Sequence, residues 1–518
     1  MDETQQLINE ILDSRNRISS GFKLISLQLE ENPVLGNLFL KFCDDLNNLE
    51  DYPFNTVVIG PNGTGKSNIL KTVINLFREI HELKQNDKRI NKVPGKFVLT
   101  YLLNGKQFSF GNFKLDSEHM AARFSKGVWF TVDNQIEDDY NKILLPNNII
   151  ANSLMITDKF PFLKEEDFPR YTYLGVRSSR ASSGTKAYIR KTVELITTSI
   201  EKKGFKAKLK EILSFLDLEP TVNIYYKPVY SREFYKEDID VDEFHRIFNH
   251  QKEYFPKRET EIWGTTYYDS IKENNELVSS IVDFLQHVAK NFLKDNSKLL
   301  HYDVLSDANI VDDFKMIEQL KKLDLISYPS IDIRKQNSEF NLVDSSSGEY
   351  SLLSSLIGLV ASVEENSLVL IDEPEVSLHP NWQMKYMDYL RKMFEGYKTC
   401  HFIVATHSHF LISDIQGMNS HVIGLVKNRD IEPVHFSDVN TFGWSAEQVL
   451  LDVFDVPTTR NFYLADRFAK IMKKASLNGL KSIEDNKDEL LSWEESLSEG
   501  DPIKYAITKL IEKAEWRD

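Results

Sequence analysis

Residues 56–80 carry the most constraining pattern of this 518-residue chain. TVVIG at 56–60 predicts a buried strand that ends in glycine. The loop that follows reads GPNGTGKS and fits GxxxxGK[ST] at every fixed position. Apolar residues then recur at helical spacing from Ile69 to Ile80. A chain with this order of elements is expected to adopt an α/β fold in which the loop joins a strand to the start of a helix.

The GPNGTGKS loop suits the phosphates of a nucleotide. Glycines let backbone N–H groups curl round phosphate oxygens, and the following helix presents the positive end of its dipole. Lys66 would neutralise the β and γ phosphates, and Ser67 would ligate Mg²⁺. A glycine-rich turn without a ligand is the alternative, but the strand-to-helix context favours the nucleotide site. The predicted ATP-binding residues are Gly60, Pro61, Asn62, Gly63, Thr64, Gly65, Lys66, Ser67 and Asn68.

A second apolar strand pattern ends in two acids. SLVLI at 367–371 leads directly into Asp372 and Glu373. An unbroken apolar run is typical of a strand covered on both faces in a parallel sheet, where ligands bind at the carboxyl edge. We expect Asp372 to hold Mg²⁺ through water and Glu373 to polarise the attacking water. Taken alone, two acids at the end of a strand would be interpreted as solvated surface residues. Because the chain also contains a phosphate loop, a role in a nucleotide site is the preferred interpretation.

A third apolar pattern, HFIVA at 401–405, runs into Thr406 and His407. Because the carboxyl ends of parallel strands meet at one edge of a sheet, His407 is expected beside Glu373. There it would contact a γ phosphate or the catalytic water. A lone histidine usually has a structural role, but His407 is expected to share the sheet edge with other residues of the site. The predicted catalytic residues are Glu373, Lys66 and His407.

The stretch DSSSGEYSLL at 344–353 leads from serines and a glycine into an apolar helix pattern. Free N–H groups, hydroxyls and the helix dipole at such a start bind an anion, and helix capping alone is the alternative. The order of phosphate loop, long insertion, serine-glycine helix start and acidic strand end resembles the ATP-binding cassette heads. In those heads the signature helix of one subunit closes over the nucleotide of another. The resemblance implies a signature that acts in trans, formed by Ser346, Ser347, Gly348 and Glu349.

GPNGTGKS, SSSGE, LVLIDEPEVSLHP and IVATHSH together resemble the SMC/Rad50-like cassette ATPases of the AAA_15/AAA_21 grouping. Segments 145–162, 171–178 and 442–461 are similar to the PtuA ATPases of Septu and retron antiphage systems. The resemblance implies Asp372 as an Mg²⁺ anchor, Glu373 as base and a Q-loop around Asp158. It also implies a head-to-head dimer round ATP that acts as the sensor or regulator of an antiphage complex. The implied partners are a second copy of the chain, a separate PtuB-like HNH nuclease, and a retron reverse transcriptase with its DNA.

The predicted fold class is α/β: a P-loop NTPase of the cassette type with an SMC/Rad50-like head, a mainly helical insertion and a helical C-terminal extension. We predict four divisions of the chain. They are a first ATPase lobe with the phosphate loop (1–180), the helical insertion (181–325), a second lobe with the signature, the acidic strand end and His407 (326–455), and the C-terminal extension (456–518).

The overall composition limits the classes of partner that the protein is expected to bind. A net charge of −15 argues against broad attraction to nucleic acid or anionic lipid, although a local basic groove for DNA stays open. The chain has only two cysteines, which fits a reducing compartment and predicts a cytoplasmic protein. Its sequence contains no apolar stretch that approaches the roughly 18 residues of a membrane span, so we expect no membrane partner.

Two other functions compete with the antiphage regulator. One is a DNA-repair or recombination head of the Rad50 or RecF kind, and the other is a scaffold that ATP stabilises and hydrolyses only incidentally. A transporter cassette fits less well, because the separation between its half sites is long. His245, Asn249 and His250 in FHRIFNH look like part of an HNH nuclease motif, but we interpret them as a surface helix since no ββα-metal pattern surrounds them.

Overall fold

A computed structural model describes the chain in segments. The described residues are 21–43, 52–86, 91–113, 127–155, 157–163, 166–175, 177, 185–229, 234–254, 263–294, 300–307, 310–327, 329–335, 338–341, 347–376, 378–412, 420–427, 431–435, 462–478, 481–498 and 501–515. The chain divides into two compact units, Met1–Trp444 and Ser445–Asp518.

Three sheets are built from the described strands of the first unit. The strands are β1 (Lys23–Asn32), β2 (Gly36–Lys41), β3 (Phe54–Ile59), β4 (Lys96–Leu103), β5 (Lys106–Gly111), β6 (Trp129–Val132), β7 (Gln135–Ile136), β8 (Ile149–Ser153), β9 (Tyr171–Gly175), β10 (Val222–Tyr226), β11 (Leu300–Asp303), β12 (Ser330–Lys335), β13 (Ser338–Asn341), β14 (Leu368–Asp372), β15 (His401–Thr406), β16 (Ser420–Lys427) and β17 (Ile431–His435).

Helices occupy both units. The described helices are α1 (Lys66–Asn86), α2 (Thr185–Ser199), α3 (Phe205–Phe215), α4 (Val241–Tyr254), α5 (Trp263–Ile271), α6 (Asn275–Lys294), α7 (Ile310–Lys322), α8 (Ser347–Ser362), α9 (Pro380–Met393), α10 (Phe462–Asn478), α11 (Lys481–Glu484), α12 (Lys487–Ser496) and α13 (Pro502–Glu515). Short 3₁₀ turns lie at Tyr140–Lys142 and His409–Leu411. Within the described ranges, no helix combines the length with the apolar character that crossing a bilayer requires.

The central sheet has seven strands in the order β17-β16-β3-β15-β14-β8-β9. Neighbouring strands from β16 to β9 run parallel, and β17 pairs with β16 antiparallel. Every residue of β3, β14 and β15 is buried, as expected for strands covered on both faces. The predicted strands at 56–60, 367–371 and 401–405 are therefore confirmed, and β15 lies between the other two.

An antiparallel sheet, β2-β1-β4-β5-β6-β7, covers one side of α1. β4 and β5 form a hairpin whose turn residues, Asn104 and Gly105, have φ of +52° and +75°. Two positive φ values in a two-residue turn match the right-handed twist of the flanking strands. Phe77 of α1 packs edge-on against Tyr101 of β4, with ring centroids 5.2 Å apart. This contact joins the nucleotide-loop helix to the sheet.

The insertion between β9 and α8 combines helices with a small antiparallel sheet of order β11-β10-β12-β13. Its helix α3 approaches α9, because the rings of Phe215 and Tyr389 stack with centroids 3.7 Å apart. His245 on α4 lies with Nδ1 2.7 Å from the hydroxyl of Tyr268 on α5. That contact gives His245 a structural role between two helices, in keeping with the surface-helix interpretation of FHRIFNH.

The second unit is helical in its described residues, 462–478, 481–498 and 501–515. Its helices share a small apolar core of Ile471, Ile483, Leu490, Ile507 and Ile511. The guanidinium of Arg467 on α10 pairs with Glu489 on α12 at 2.9 Å. The helical pattern predicted for the C-terminal tail is present here.

Candidate functional site

The phosphate loop connects β3 to α1. β3 ends at Ile59 and α1 begins at Lys66, so the six residues 60–65 make the turn. Gly63 and Gly65 have φ of +82° and +89°, values that favour glycine because it lacks a Cβ. The Thr64 hydroxyl donates to the Pro61 carbonyl at 2.9 Å and closes the loop on itself. Lys66, Ser67 and Asn68 form the first turn of α1, where backbone N–H groups lie free of intrahelical partners.

Lys66 lies back along this loop. Its Nζ donates to the carbonyl oxygens of Gly60 at 2.7 Å and Pro61 at 3.2 Å. Burial lowers the pKa of Lys66, and the nearby carboxylates Glu373, Glu375 and Asp372 oppose that shift. The lysine cation therefore lies within the field of the acidic strand end.

Ser67 and Asp372 meet directly. The Ser67 hydroxyl donates to Asp372 Oδ1 at 3.0 Å. Asp372 is 1% exposed, and burial raises the pKa of its carboxyl to about 7, while the hydrogen bond from Ser67 opposes the shift. A hydroxyl and a carboxylate are hard oxygen donors of the kind that Mg²⁺ prefers.

The chemistry of this donor set fits Mg²⁺ that is held mainly by a nucleotide. Among the described residues, no group of three or more His, Cys, Asp or Glu side chains is arranged to hold a metal ion. Mg²⁺ is usually bound through one or two protein ligands, with phosphates and waters completing the shell. Ser67 and Asp372 would supply those protein ligands.

Glu373 and His407 face each other at the same edge of the sheet. Nδ1 of His407 lies 3.7 Å from Oε1 of Glu373. Glu373 has φ of +49°, an uncommon conformation for a residue with a side chain, and its N–H donates to the Ala405 carbonyl at 2.8 Å. The strand end therefore turns at Glu373 while remaining bonded to β15. Strained backbone of this kind clusters at functional sites.

Glu375 is a member of this cluster that sequence reasoning missed. It is 5% exposed, and its Oε1 lies 3.1 Å from Nδ1 of His407. The same oxygen accepts hydrogen bonds from the Thr406 hydroxyl at 2.7 Å and from the His407 N–H at 2.8 Å. The only signal in the sequence was a third acid in DEPE, two positions beyond Glu373.

Asp158, in the segment after β8, forms a partly buried ion pair with Arg177, which follows β9. Arg177 contacts Asp158 through two hydrogen bonds, Nη2 to Oδ1 at 2.6 Å and Nε to Oδ2 at 3.0 Å. The Tyr173 hydroxyl donates to Asp158 Oδ2 at 2.7 Å. Ser153, at the end of β8, pairs in register with Asp372. The Asp158 segment, expected as the Q-loop, therefore leaves the sheet beside the acidic strand end. Arg177 and Tyr173 were not predicted from the sequence as partners of Asp158.

The predicted signature lies at the start of α8. Ser347, Gly348 and Glu349 form the first residues of the helix, whereas Ser346 and segment 442–461 lie outside the described residues. Further along α8, the Ser355 hydroxyl donates to Asn152 Oδ1 of β8 at 2.9 Å. The body of this helix is thus attached to the central sheet. Its action in trans stays a prediction.

Two sequence relatives match most of the chain, and a third matches about a quarter of it. The "Retron Ec83 probable ATPase" of Escherichia coli is 24% identical over 441 residues, which are 80% of this chain and 73% of that protein. The "Retron Vc95 probable ATPase" of Vibrio cholerae serotype O1 biovar El Tor is 22% identical over 477 residues, 85% of this chain and 82% of that protein. "Protein ea59" of Escherichia phage lambda is 30% identical over 127 residues, and the match spans only 24% of the phage protein and 24% of this chain.

Solved structures similar to this chain include an Smc head domain and a RecF protein. The Smc head domain of Pyrococcus furiosus, bound to the C-terminal domain of ScpA, has 12% identity and a TM-score of 0.34, with 80% of this chain and 96% of that chain covered. The recombination mediator protein RecF in its ATPrS form has 14% identity and a TM-score of 0.28, with coverage of 80% and 99%.

The model of the AAA_15 family, described as an AAA ATPase domain, matches residues 40–412. This range holds the phosphate loop, α8, the acidic strand end and His407, and it spans well over half of the chain. The parallel order of β3, β15 and β14, with the loop at the end of β3, is that of an α/β P-loop NTPase. The chain belongs to the AAA_15 family of AAA ATPase domains.

Proposed function

We propose that this chain hydrolyses ATP to ADP and phosphate at the edge where β3, β15 and β14 end. The hydrogen bond between Ser67 and Asp372 carries the proposal, because it joins the phosphate loop to the acidic strand end within one chain. The loop would hold the triphosphate through its backbone N–H groups and through Lys66.

Four polar side chains at this edge have roles in the proposed reaction. Ser67 and Asp372 would hold Mg²⁺, which when bound neutralises charge on the phosphate oxygens. Glu373 would accept a proton from the attacking water. His407, 3.7 Å from Glu373, would contact the γ phosphate or that water.

The proposed assembly is a head-to-head dimer that encloses two ATP molecules. The signature residues Ser346, Ser347, Gly348 and Glu349 would complete the nucleotide site of the partner subunit. The start of α8 at Ser347 supports this arrangement, because a helix N-terminus presents unpaired N–H groups to an anion. Hydrolysis would then be slow and regulatory, since each site is complete only when two heads close.

The finer proposal is a cytoplasmic sensor or regulator subunit of an antiphage complex that controls a separate HNH nuclease. Similarity to two retron ATPases over 80% and 85% of this chain supports it. A retron reverse transcriptase and its DNA are further proposed partners. The division of the chain at residues 180, 325 and 455 belongs to the same proposal.

Substitution of Glu373 by Gln tests the proposed reaction. Glu373→Gln is expected to bind ATP with wild-type affinity and to lower kcat by about 100-fold or more, since the base is lost. Closed dimers should accumulate with ATP, as measured by light scattering. Glu365→Gln, an exposed acid before β14, is the matched control. Wild-type turnover in Glu373→Gln would remove Glu373 from the mechanism.

A further inference from the structure

Glu375 converges on the His407 segment with a single oxygen. Its side chain is 4% exposed and lies between β14 and α9. Oε1 accepts hydrogen bonds from the Thr406 hydroxyl at 2.7 Å, from the His407 N–H at 2.8 Å and from the Ser408 N–H at 3.2 Å. Three donors from residues 406–408 therefore converge on one oxygen, and the Ser408 N–H also donates to the Thr406 hydroxyl at 2.9 Å.

The ring of His407 faces two carboxylates on its Nδ1 side. Nδ1 lies 3.1 Å from Glu375 Oε1 and 3.7 Å from Glu373 Oε1. Ionised carboxylates only accept hydrogen bonds, so a proton on Nδ1 is favoured at this position. Nε2 is then the ring nitrogen left for a reacting group.

The second carboxylate oxygen of Glu375, Oε2, takes no part in holding these donors. Oε2 is buried and makes no hydrogen bond with any residue in the described parts of the chain. A buried carboxylate oxygen without a partner costs free energy. A purely structural anchor would need one acceptor oxygen, which glutamine also offers. A carboxylate at this position is therefore more than the three donors require.

The anchor continues into α9. The Ser408 hydroxyl donates to Gln383 Oε1 at 2.7 Å, and Gln383 Nε2 donates to the Leu378 carbonyl at 3.0 Å. Gln383 lies in the first turn of α9. The turn that carries His407 is thereby braced against the helix that follows the acidic strand end.

We propose that Glu375 is a positioning residue for ATP hydrolysis. It holds His407 in place through the three hydrogen bonds on Oε1, and its charge keeps a proton on Nδ1. This inference rests on the proposed function, because it takes His407 to act on the γ phosphate or the attacking water. Glu375 itself touches neither in this scheme, and it acts through His407.

A double-mutant cycle tests the coupling. Glu375→Gln keeps an acceptor oxygen for the three donors and removes the charge. In the wild-type background it is expected to lower kcat about tenfold, with KM for ATP and the urea midpoint close to wild type. In a His407→Ala background it should add no further loss, because the ring that it positions is gone. Glu395→Gln, an exposed acid after α9, is the matched control.

Two results would overturn the positioning role: equal losses of kcat in both backgrounds, or no loss in the wild-type background. The ¹⁵N resonances of the His407 ring give a reading that needs neither variant nor turnover. We expect Nδ1 to carry a proton in the wild-type protein, and a neutral ring protonated only on Nε2 would contradict the proposal. A wild-type chain without ATP turnover would refute the proposed function instead, and the ring resonances would still decide the arrangement of Glu375 and His407.

Discussion

Ser67 at the start of α1 donates a 3.0 Å hydrogen bond to Asp372 at the end of β14, although 305 positions separate the two residues. The contact exists because β3 and β14 run in the same direction on either side of β15. Their carboxyl ends therefore meet at one edge, and His407, just beyond β15, lies at that edge too. The described strands of the insertion, β10 to β13, form a separate sheet.

Removal of the Lys66 cation is expected to abolish most nucleotide binding. In Lys66→Ala the Kd for ATP should rise about thirtyfold or more, which corresponds to the roughly 2 kcal/mol lost when one partner of a charge-assisted contact is removed. Binding of a fluorescent ATP analogue measures the change. Lys71→Ala, an exposed lysine on the same helix, is the matched control, and an equal loss in both variants would contradict a specific role for Lys66.

The buried pair of Asp158 and Arg177 is expected to be important for stability. The Asp158 side chain is fully buried, so Arg177→Met would leave an uncompensated buried charge and lower the free energy of unfolding by about 3–5 kcal/mol. Lys142→Met removes a pair with Glu137 in which the lysine side chain is 63% exposed, and it should cost at most about 1 kcal/mol. Urea unfolding of both variants measures the contrast. Similar losses would show that Asp158 is solvated in the protein.

His401 is expected to make the fold sensitive to acid. Its Nδ1 accepts from the Leu24 N–H at 2.9 Å, and Nε2 lies 2.8 Å from the Thr56 hydroxyl, which itself donates to the Phe42 carbonyl. The ring is therefore neutral with its proton on Nε2. Burial, assisted by Lys23 and His421, holds the pKa of His401 well below its usual value of 6.5.

The lowered pKa of His401 in the folded protein determines how its stability changes with pH. Below about pH 6.5 the unfolded chain takes up a proton at His401 and the folded chain does not, so stability falls by about 1.4 kcal/mol per pH unit from this residue. The loss continues down to the folded-state pKa. In His401→Gln this part of the slope should disappear, whereas in His250→Gln, an exposed control on α4, it should persist. Urea midpoints at pH 7.5 and 5.5 measure it, and identical slopes in all three proteins would contradict a neutral buried ring.

The main site was predictable where its residues form contiguous motifs. Gly60 to Asn68 follow a strand and open a helix, and Asp372 and His407 each follow an apolar run, so local pattern alone fixed their places at one sheet edge. Glu375 could not be assigned in the same way. Its hydrogen-bond donors lie 31 to 33 positions away and become neighbours only when β14 and β15 pair.

In the insertion between β9 and α8, too, contacts that depend on the fold could not be predicted from the sequence. TVNIYY at 221–226 has the β-branched and aromatic residues typical of a strand, and it corresponds to β10. β11 has only four residues, at Leu300–Asp303, and pairs with β10 across some 70 residues that are mainly helical. A strand so short has too few residues for a period of two to stand out, and its pairing depends on tertiary contacts. Arg177 was missed for a similar reason, because its partner is reached only through the fold.

In the proposed dimer, the phosphate loop of one chain and the signature of the other share a nucleotide. Mixing Lys66→Ala with Gly348→Asp tests it most directly, because each variant alone lacks one half of both sites. With free exchange of subunits in a symmetric dimer, the mixture should recover about a quarter of wild-type ATP turnover, from one intact site in each mixed dimer. Turnover that stays at the level of the separate variants would contradict a site completed in trans.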